Sequence, residues 1–389
     1  MRVTALAGEV PAALASALAA RGLDPVRAEA LAAGGALVAL LLEPLADADA
    51  VPLMREAAAA GVDCVTGDGW AALVGTLARL GGLARSGGGG PSRIPERLSA
   101  ELGRFLSDRQ ERPEAWRTAR RTIPLERSCL VGILNVTPDS FSDGGAHFAP
   151  ADALAGARAM REAGAAILDV GGESTRPGAT APDEAEELRR VVPVVRAVAA
   201  ETGLPVSVDT RNSRVAAAAL AAGAEIVNDV SGLEHDPRMA AVVRDAGAGV
   251  VIMHMRGEPA TMDARATYAD VAAEVAAELA ERRDRACEAG IAREAIVLDP
   301  GLGFAKRPEH NFAVLDRLAS ITALGHPVMV GPSRKRFLGA ATGAPVERRD
   351  AATAAACVAA RVRGARLFRV HDVARAREAL AVADAMLAS

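Results

Sequence analysis

Residues 165–179 read AAILDVGGESTRPGA. A short apolar run at 165–170 carries one carboxylate, Asp169, and a loop of Gly, Ser, Thr, Pro and Arg follows it. The run has the length of a buried strand, and the loop has the chemistry that ends one. A longer amphipathic stretch then leads to another run of the same kind. The pattern recurs at 129–134, 205–208, 224–227, 249–253, 295–298, 327–330 and 365–368, eight runs in all. Near-continuous apolar strands alternating with helices predict a parallel sheet covered by helices. Glycine ends several helices just before the next strand, as in Ala163-Gly164-Ala165 and Ala222-Gly223-Ala224. Eight such units in a segment of about 260 residues predict a closed (β/α)8 TIM barrel over residues 128–389. No strand is followed by Gly-x-Gly-x-x-Gly, and DPGLGF at 299–304 has the wrong spacing for a dinucleotide turn.

The strand ends carry the chemistry. In order they finish on Asn135, Asp169, Asp209, Asn228, His254, Asp299, Ser333 to Lys335, and Arg369 with His371. One polar residue after a strand is a turn or a helix cap. Polar residues at every end of a barrel converge on one mouth, where several strands supply an active site. The loops after the first two strands, NVTPDSFSDGG (135–145) and GGESTRPGA (171–179), suit lids over that mouth. His254, between two methionines, reads as a structural histidine, whereas Asp169 and Glu173 either orient the second loop or touch the ligand. His147, His235, His310 and His326 read as ordinary loop or surface residues, and Cys129 and Cys357 as core packing.

Ahead of the barrel, residues 1–90 contain two strand-like runs, 36–42 and 62–66, among helical patterns, predicting a small α/β domain. Residues 91–127 read as linker and connecting helix, with GGLARSGGGGPS (81–92) as flexible chemistry and the charged 91–121 as an exposed helix. The net charge of −4 gives no electrostatic case for nucleic acid. The four cysteines lack metal-ligand spacing and predict reduced thiols in a cytoplasmic protein. Glu9 interrupts the first apolar stretch, a poor signal peptide, and no run approaches the roughly 18 residues of a membrane span.

The segments ILNVTPDSFSDGG, ILDVGGESTRPGA, VSVDT, IVNDVSG, VIMHM, IVLDPGLGF, GPSRKRFLG and FRVHD resemble, in order and spacing, the dihydropteroate synthase family of folate biosynthesis. That resemblance implies a transferase, the target of sulfonamides. It joins 6-hydroxymethyl-7,8-dihydropterin pyrophosphate to p-aminobenzoate, releases pyrophosphate, requires Mg²⁺, and usually works as a homodimer paired through barrel helices. It places Asp209, Lys335, Arg369 and His371 at catalytic positions. Asp299 would accept the paired N–H and NH₂ of the pterin edge, Asn228 and Lys335 would meet the ring heteroatoms, and Val230 and Met253 would form apolar walls. Arg369, His371, Thr175 and Asn135 would hold pyrophosphate, with Asn135 also the Mg²⁺ ligand. The aminobenzoate would lie among Phe141, Arg176, Pro177, Phe304 with Gly303, and Ser333 at the start of the helix after strand seven.

Two other readings share the barrel. A methyl-carrier pterin-binding module has no use for SRK (333–335) or RVHD (369–372). A non-catalytic paralogue tends to lose loop residues, and Phe141, Arg176 and Pro177 are all present. The front segment lacks the acidic pair of a fused pyrophosphokinase and suggests a structural or assembly role.

Overall fold

The computed structural model describes residues 2–7, 38–86, 94–110, 113–136, 150–173 and 183–388. The chain divides into two compact units. The first comprises residues 1–112 with 272–277 and 317–325, and the second comprises the remainder.

In the first unit, strands β1 (Arg2–Ala7), β2 (Val38–Glu43), β3 (Asp63–Gly67) and β4 (Trp70–Gly75) form an antiparallel sheet in the order β1-β2-β4-β3. The sequence reading found β2 and β3 but not β1 or β4. Helices Asp47–Ala59, Leu77–Arg85 and Glu96–Gln110 accompany the sheet. Two expectations need correction here. Gly81 and Gly82, read as the start of a flexible linker, lie inside the Leu77–Arg85 helix, whose Leu80 and Leu83 are fully buried. Residues 87–92 of that linker lie outside the described residues. The Glu96–Gln110 helix is no exposed connector, because Leu98, Leu102 and Leu106, spaced one helical turn apart, enter the unit's core with Ile94.

The second unit begins with a hairpin, β5 (Ala115–Arg117) and β6 (Thr122–Pro124), within the segment read as linker and connecting helix. The barrel strands follow: β7 (Cys129–Asn135), β8 (Ile167–Gly171), β9 (Val206–Asp209), β10 (Ile226–Asp229), β11 (Gly249–Met253), β12 (Ile296–Asp299), β13 (Met329–Val330) and β14 (Leu367–Val370). All pair in parallel, in the order β12-β11-β10-β9-β8-β7-β14-β13. A parallel bridge between Leu298 and Val328 closes the ring.

The hairpin plugs the end of the barrel where the strands begin. Trp116 is buried and donates its indole N–H to the Ala295 carbonyl at 2.8 Å. Its ring is so close that a Cβ on Gly249 would meet it at 3.1 Å. Arg121 and Thr118 both reach the buried Glu225 carboxylate, at 2.7 and 2.8 Å. Around Trp116 lies an apolar layer of Val131, Ile167, Ile226, Val251, Val297, Met329 and Leu367.

Strand periodicity then decides what lies above this layer. Residues two apart on a strand share a face. Counting two on from the interior residues Ile167, Ser207, Ile226, Val251, Val297 and Leu367 gives Asp169, Asp209, Asn228, Met253, Asp299 and Arg369. An apolar floor is thus followed by a mostly polar layer facing the same interior, at the carboxyl ends of the strands.

Candidate active site

Arg369 stands at the centre of the polar layer. Its Nε donates to Asp169 Oδ2 and its Nη2 to Asp209 Oδ2, each at 2.6 Å. The same Asp169 oxygen accepts Asn228 Nδ2 at 3.0 Å. One carboxylate therefore orients both a cation and an amide. Burial works against the Arg369 charge, but Asp169 and Asp209 more than offset it and hold its pKa above the ordinary arginine range. Asp209 is pushed up to about 7, chiefly by burial and also by the carboxylates of Asp169, Glu173 and Glu187, against the pull of Arg369. The second oxygen of Asp169 is buried with no hydrogen-bond partner among the described residues. Asp169, Ser207 and Asn228 line a cavity of about 10 Å³ there, room for about one water.

Asn135, Gly171, Asp209 and Asn228 are successive ladder partners across β7, β8, β9 and β10. Register thus sets three polar side chains in one row, and glycine between them leaves space: a Cβ on Gly171 would sit 3.3 Å from that of Asp209.

Asp299 ends β12, buried, and its Oδ1 accepts the Gly301 N–H at 2.6 Å. Burial raises its pKa, opposed by Lys335, the Gly301 N–H, Arg369 and Lys306. Lys335 donates to the Leu302 carbonyl and lies 4.4 Å above the Phe304 ring. Gly303, at φ +81°, permits that path, since a Cβ would meet Lys335 Cδ at 2.8 Å. Val230, Met253 and Phe304 fall in one apolar cluster with Met255, Met262 and Ala305, so the expected walls do come together.

Ser333 and His371 form a pair. Ser333 Oγ accepts the His371 backbone N–H at 3.1 Å and lies 2.8 Å from His371 Nδ1. The hydroxyl can donate to Nδ1 while accepting that N–H, an arrangement that leaves the ring proton on Nε2. Ser333 does not begin a helix as expected. The helix runs Arg336–Thr342 with Lys335 at its N-cap. Arg334 between them holds φ 55°, pinned by Asp350 at 2.7 and 2.8 Å. The other described non-glycine residues with positive φ, Leu233 and Ala305, also lie in loops after strands, so backbone strain gathers at this face.

Phe141, Thr175, Arg176 and Pro177 lie outside the described residues. His254 faces away from this cluster, as its structural reading implied: Nε2 meets Glu278 at 3.0 Å and Nδ1 meets Lys306 at 2.9 Å. His326 is not a surface residue. It is buried, near the Ile296 carbonyl, and burial pushes it down to about 3. Sequence reasoning missed Lys306 and Arg211. Arg211 pairs in two-point fashion with Glu173 at 2.9 and 3.2 Å. Both follow strand-end motifs directly, which is the signal that marks them.

The profile of the pterin-binding enzyme family matches residues 131–371. The Mycobacterium leprae dihydropteroate synthase is 49% identical over 265 residues, 66% of this chain and 93% of that protein. The chain belongs to the dihydropteroate synthase family. Among solved structures of the family, a Xanthomonas albilineans dihydropteroate synthase with 4-aminobenzoic acid aligns at a TM-score of 0.67 and 46% identity. It covers 71% of this chain and 99% of that one. A Yersinia pestis dihydropteroate synthase with a sulfonamide drug aligns at 0.68 and 39% identity, covering 71% and 100%.

Among the described residues no three His, Cys, Asp or Glu side chains gather as a cage. The chain instead offers the amide of Asn135 at a strand end. One neutral oxygen fits an ion that keeps several waters and takes phosphate oxygens. Among the same residues no helix is long and apolar enough to cross a membrane.

Proposed function

We propose that the chain condenses 6-hydroxymethyl-7,8-dihydropterin pyrophosphate with p-aminobenzoate, giving 7,8-dihydropteroate and pyrophosphate. The observation that carries this reading is the single polar layer in which Asp299, Asn228, Asp209, Lys335 and Arg369 influence one another above an apolar floor. Asp299 accepts the adjacent N–H and NH₂ of the pterin edge, a two-point pair that a carboxylate suits. Lys335 and Asn228 meet the ring's acceptors, and Val230 and Met253 cover its faces.

The C–O bond to pyrophosphate breaks and its electron pair leaves with the diphosphate. Asp209 stabilises positive charge developing on the pterin methylene. The aniline nitrogen then forms the new C–N bond and sheds a proton. Positioning and electrostatic stabilisation supply the rate, with no covalent nucleophile. Arg369 offers a planar fork to phosphate oxygens and His371 a second donor. Asn135, with Thr175, would hold Mg²⁺ and pyrophosphate, the ion supplying charge neutralisation of the leaving group. Phe141, Arg176, Pro177, Phe304 and the Ser333 region form the aminobenzoate side.

The implied homodimer through barrel helices is supported by exposed apolar residues on the last two helices, among them Val362, Val382 and Met386. The composition and cysteine pattern favour a cytoplasmic setting.

Pyrophosphate release should require the pterin substrate, p-aminobenzoate and Mg²⁺ together, and an omission series with purified protein tests this. Release without p-aminobenzoate would point to hydrolysis instead. Lys335 adds a pH signature. Burial pushes it down to about 8, and only its protonated form brings a positive charge and three donors. kcat/KM for the pterin should therefore fall as pH rises through about 8, and Lys335→Arg should lack that limb. A limb at the ordinary lysine value of about 10.4 would remove Lys335 from this role.

A further inference from the structure

Lys306 follows directly on the loop that carries Asp299, Gly303 and Phe304, and it is buried. Its ammonium faces three acceptors: His254 Nδ1 at 2.9 Å, the Phe304 carbonyl at 3.1 Å and the Gly301 carbonyl at 3.2 Å. His254 is itself fully buried. Burial and the neighbouring Lys306 push its pKa down to about 3, so it is neutral. Its Nε2–H then donates to Glu278, which Arg256 holds at 3.0 Å, leaving Nδ1 to accept from Lys306. Burial holds the Lys306 pKa well below the ordinary lysine value, with the Asp299 carboxylate opposing and Lys335 and Arg282 adding to the fall. Three acceptors around one nitrogen match the three N–H bonds of the charged form, whereas a neutral amine would turn a lone pair towards one of them.

The loop backbone is pressed against the same histidine. The His254 N–H donates to the Asp299 carbonyl at 2.9 Å, and a Cβ on Gly301 would lie 2.0 Å from the His254 carbonyl oxygen. Ala305 holds φ 47°, and its carbonyl accepts the Tyr268 hydroxyl at 2.9 Å. This short loop supplies the Asp299 carboxylate, the Phe304 wall and the carbonyl that receives Lys335. Its position therefore sets most of the pterin pocket.

We propose that Lys306 is a positioning residue for pterin recognition: it fixes the Asp299 loop through His254 and the carbonyls of Gly301 and Phe304, and its buried charge favours the ionised Asp299. The proposal rests on the assignment of Asp299 to the pterin edge. The charged groups acting on Asp299 are Lys335 from the loop after β13, Arg369 from β14 and Lys306 from its own loop. Without Lys306, burial is opposed by two cations instead of three. The carboxylate form, which alone has acceptors for both pterin donors, then loses one of the charges that favour it. Binding should recover as pH rises, because deprotonation restores that form.

The test is equilibrium binding of 6-hydroxymethyl-7,8-dihydropterin to the full chain across the neutral range, with KM for p-aminobenzoate measured alongside. Lys306→Gln should weaken the pterin at least about tenfold at neutral pH, the scale of a lost charged hydrogen bond. Its affinity should improve as pH rises, a dependence that KM for p-aminobenzoate should not share. Lys306→Arg keeps the charge but cannot serve the three acceptors from one centre, so it should bind more weakly with the unaltered pH dependence. In an Asp299→Asn background, Lys306→Gln should add less than the loss it causes in the unaltered chain. Unaltered affinity and pH dependence in Lys306→Gln, unaltered affinity in Lys306→Arg, or fully additive losses in the double variant would each overturn the proposal. If Asp299→Asn alone binds the pterin normally, the pterin assignment itself fails, a result distinct from the other three.

Discussion

Arg369→Ala should reduce kcat/KM for the pyrophosphorylated pterin by about a hundredfold to several thousandfold. It should also weaken binding of that substrate far more than binding of the bare pterin alcohol. Arg369 is held by Asp169 and Asp209 at 2.6 Å each, so its removal strips two carboxylates of their cation. Breaking a buried pair from one side typically costs about 3–5 kcal/mol. Part of that cost is shared by both ligands, because Asn228 also loses a fixed Asp169 beside it. The remainder falls on the diphosphate, which loses a planar two-point donor. The pKa of Asp209, already near about 7, should climb further without Arg369. Residual activity should then rise with pH, since the ionised Asp209 is the form that stabilises the methylene cation. Isothermal titration of both ligands, with Arg369→Lys as a charge-retaining control, separates these effects. Equal losses for alcohol and diphosphate would refute the phosphate role.

Asp299→Asn should be at least as damaging to the pterin. Asparagine keeps the shape but turns an NH₂ donor towards one of two donors on the pterin edge. Each charge-assisted hydrogen bond contributes about 1.5–3 kcal/mol, so losing the two-point pair corresponds to roughly a hundredfold to ten-thousandfold in affinity. Asp299→Glu keeps the charge but lengthens the side chain by one methylene in a buried setting, and it should recover only part of the loss. Fluorescence or calorimetric binding of the pterin, without the second substrate, measures this directly. Affinity within about threefold of the unaltered chain would mean that another group reads the pterin edge.

The barrel was legible because its strands are buried on both faces and therefore read as unbroken apolar runs. Their edges were less so. The Ala-Gly-Ala turns before β8 and β10 look like strand but lie outside the ladders, which begin at Ile167 and Ile226. At the other end the ladders extend into Asp209 and Asp299, since a polar side chain facing the interior does not end a strand. The front unit was harder. The residues of β4, WAALVG, carry no alternation, and pairing with β2 and β3 decides their conformation. The Glu96–Gln110 helix looked solvent-facing because six of its fifteen residues are charged, yet a narrow leucine stripe suffices to bury it.

Within the site, residue types at strand ends announced a mouth, and the family motifs assigned them. What one dimension could not hold was the pairing. Nothing in the spacing says that Asp169 orients both Arg369 and Asn228, that Ser333 meets both the ring and the backbone of His371, or that His254 meets Lys306. Each of those contacts joins residues far apart in sequence, through strand order and register.

The central claim is that this mouth makes a carbon–nitrogen bond rather than only holding a pterin. Its most direct test is identification of products when purified chain is given the pterin pyrophosphate, p-aminobenzoate and Mg²⁺. The account predicts 7,8-dihydropteroate and pyrophosphate in equal amounts. Tight pterin binding with no dihydropteroate formed would contradict it and leave a binding module in its place.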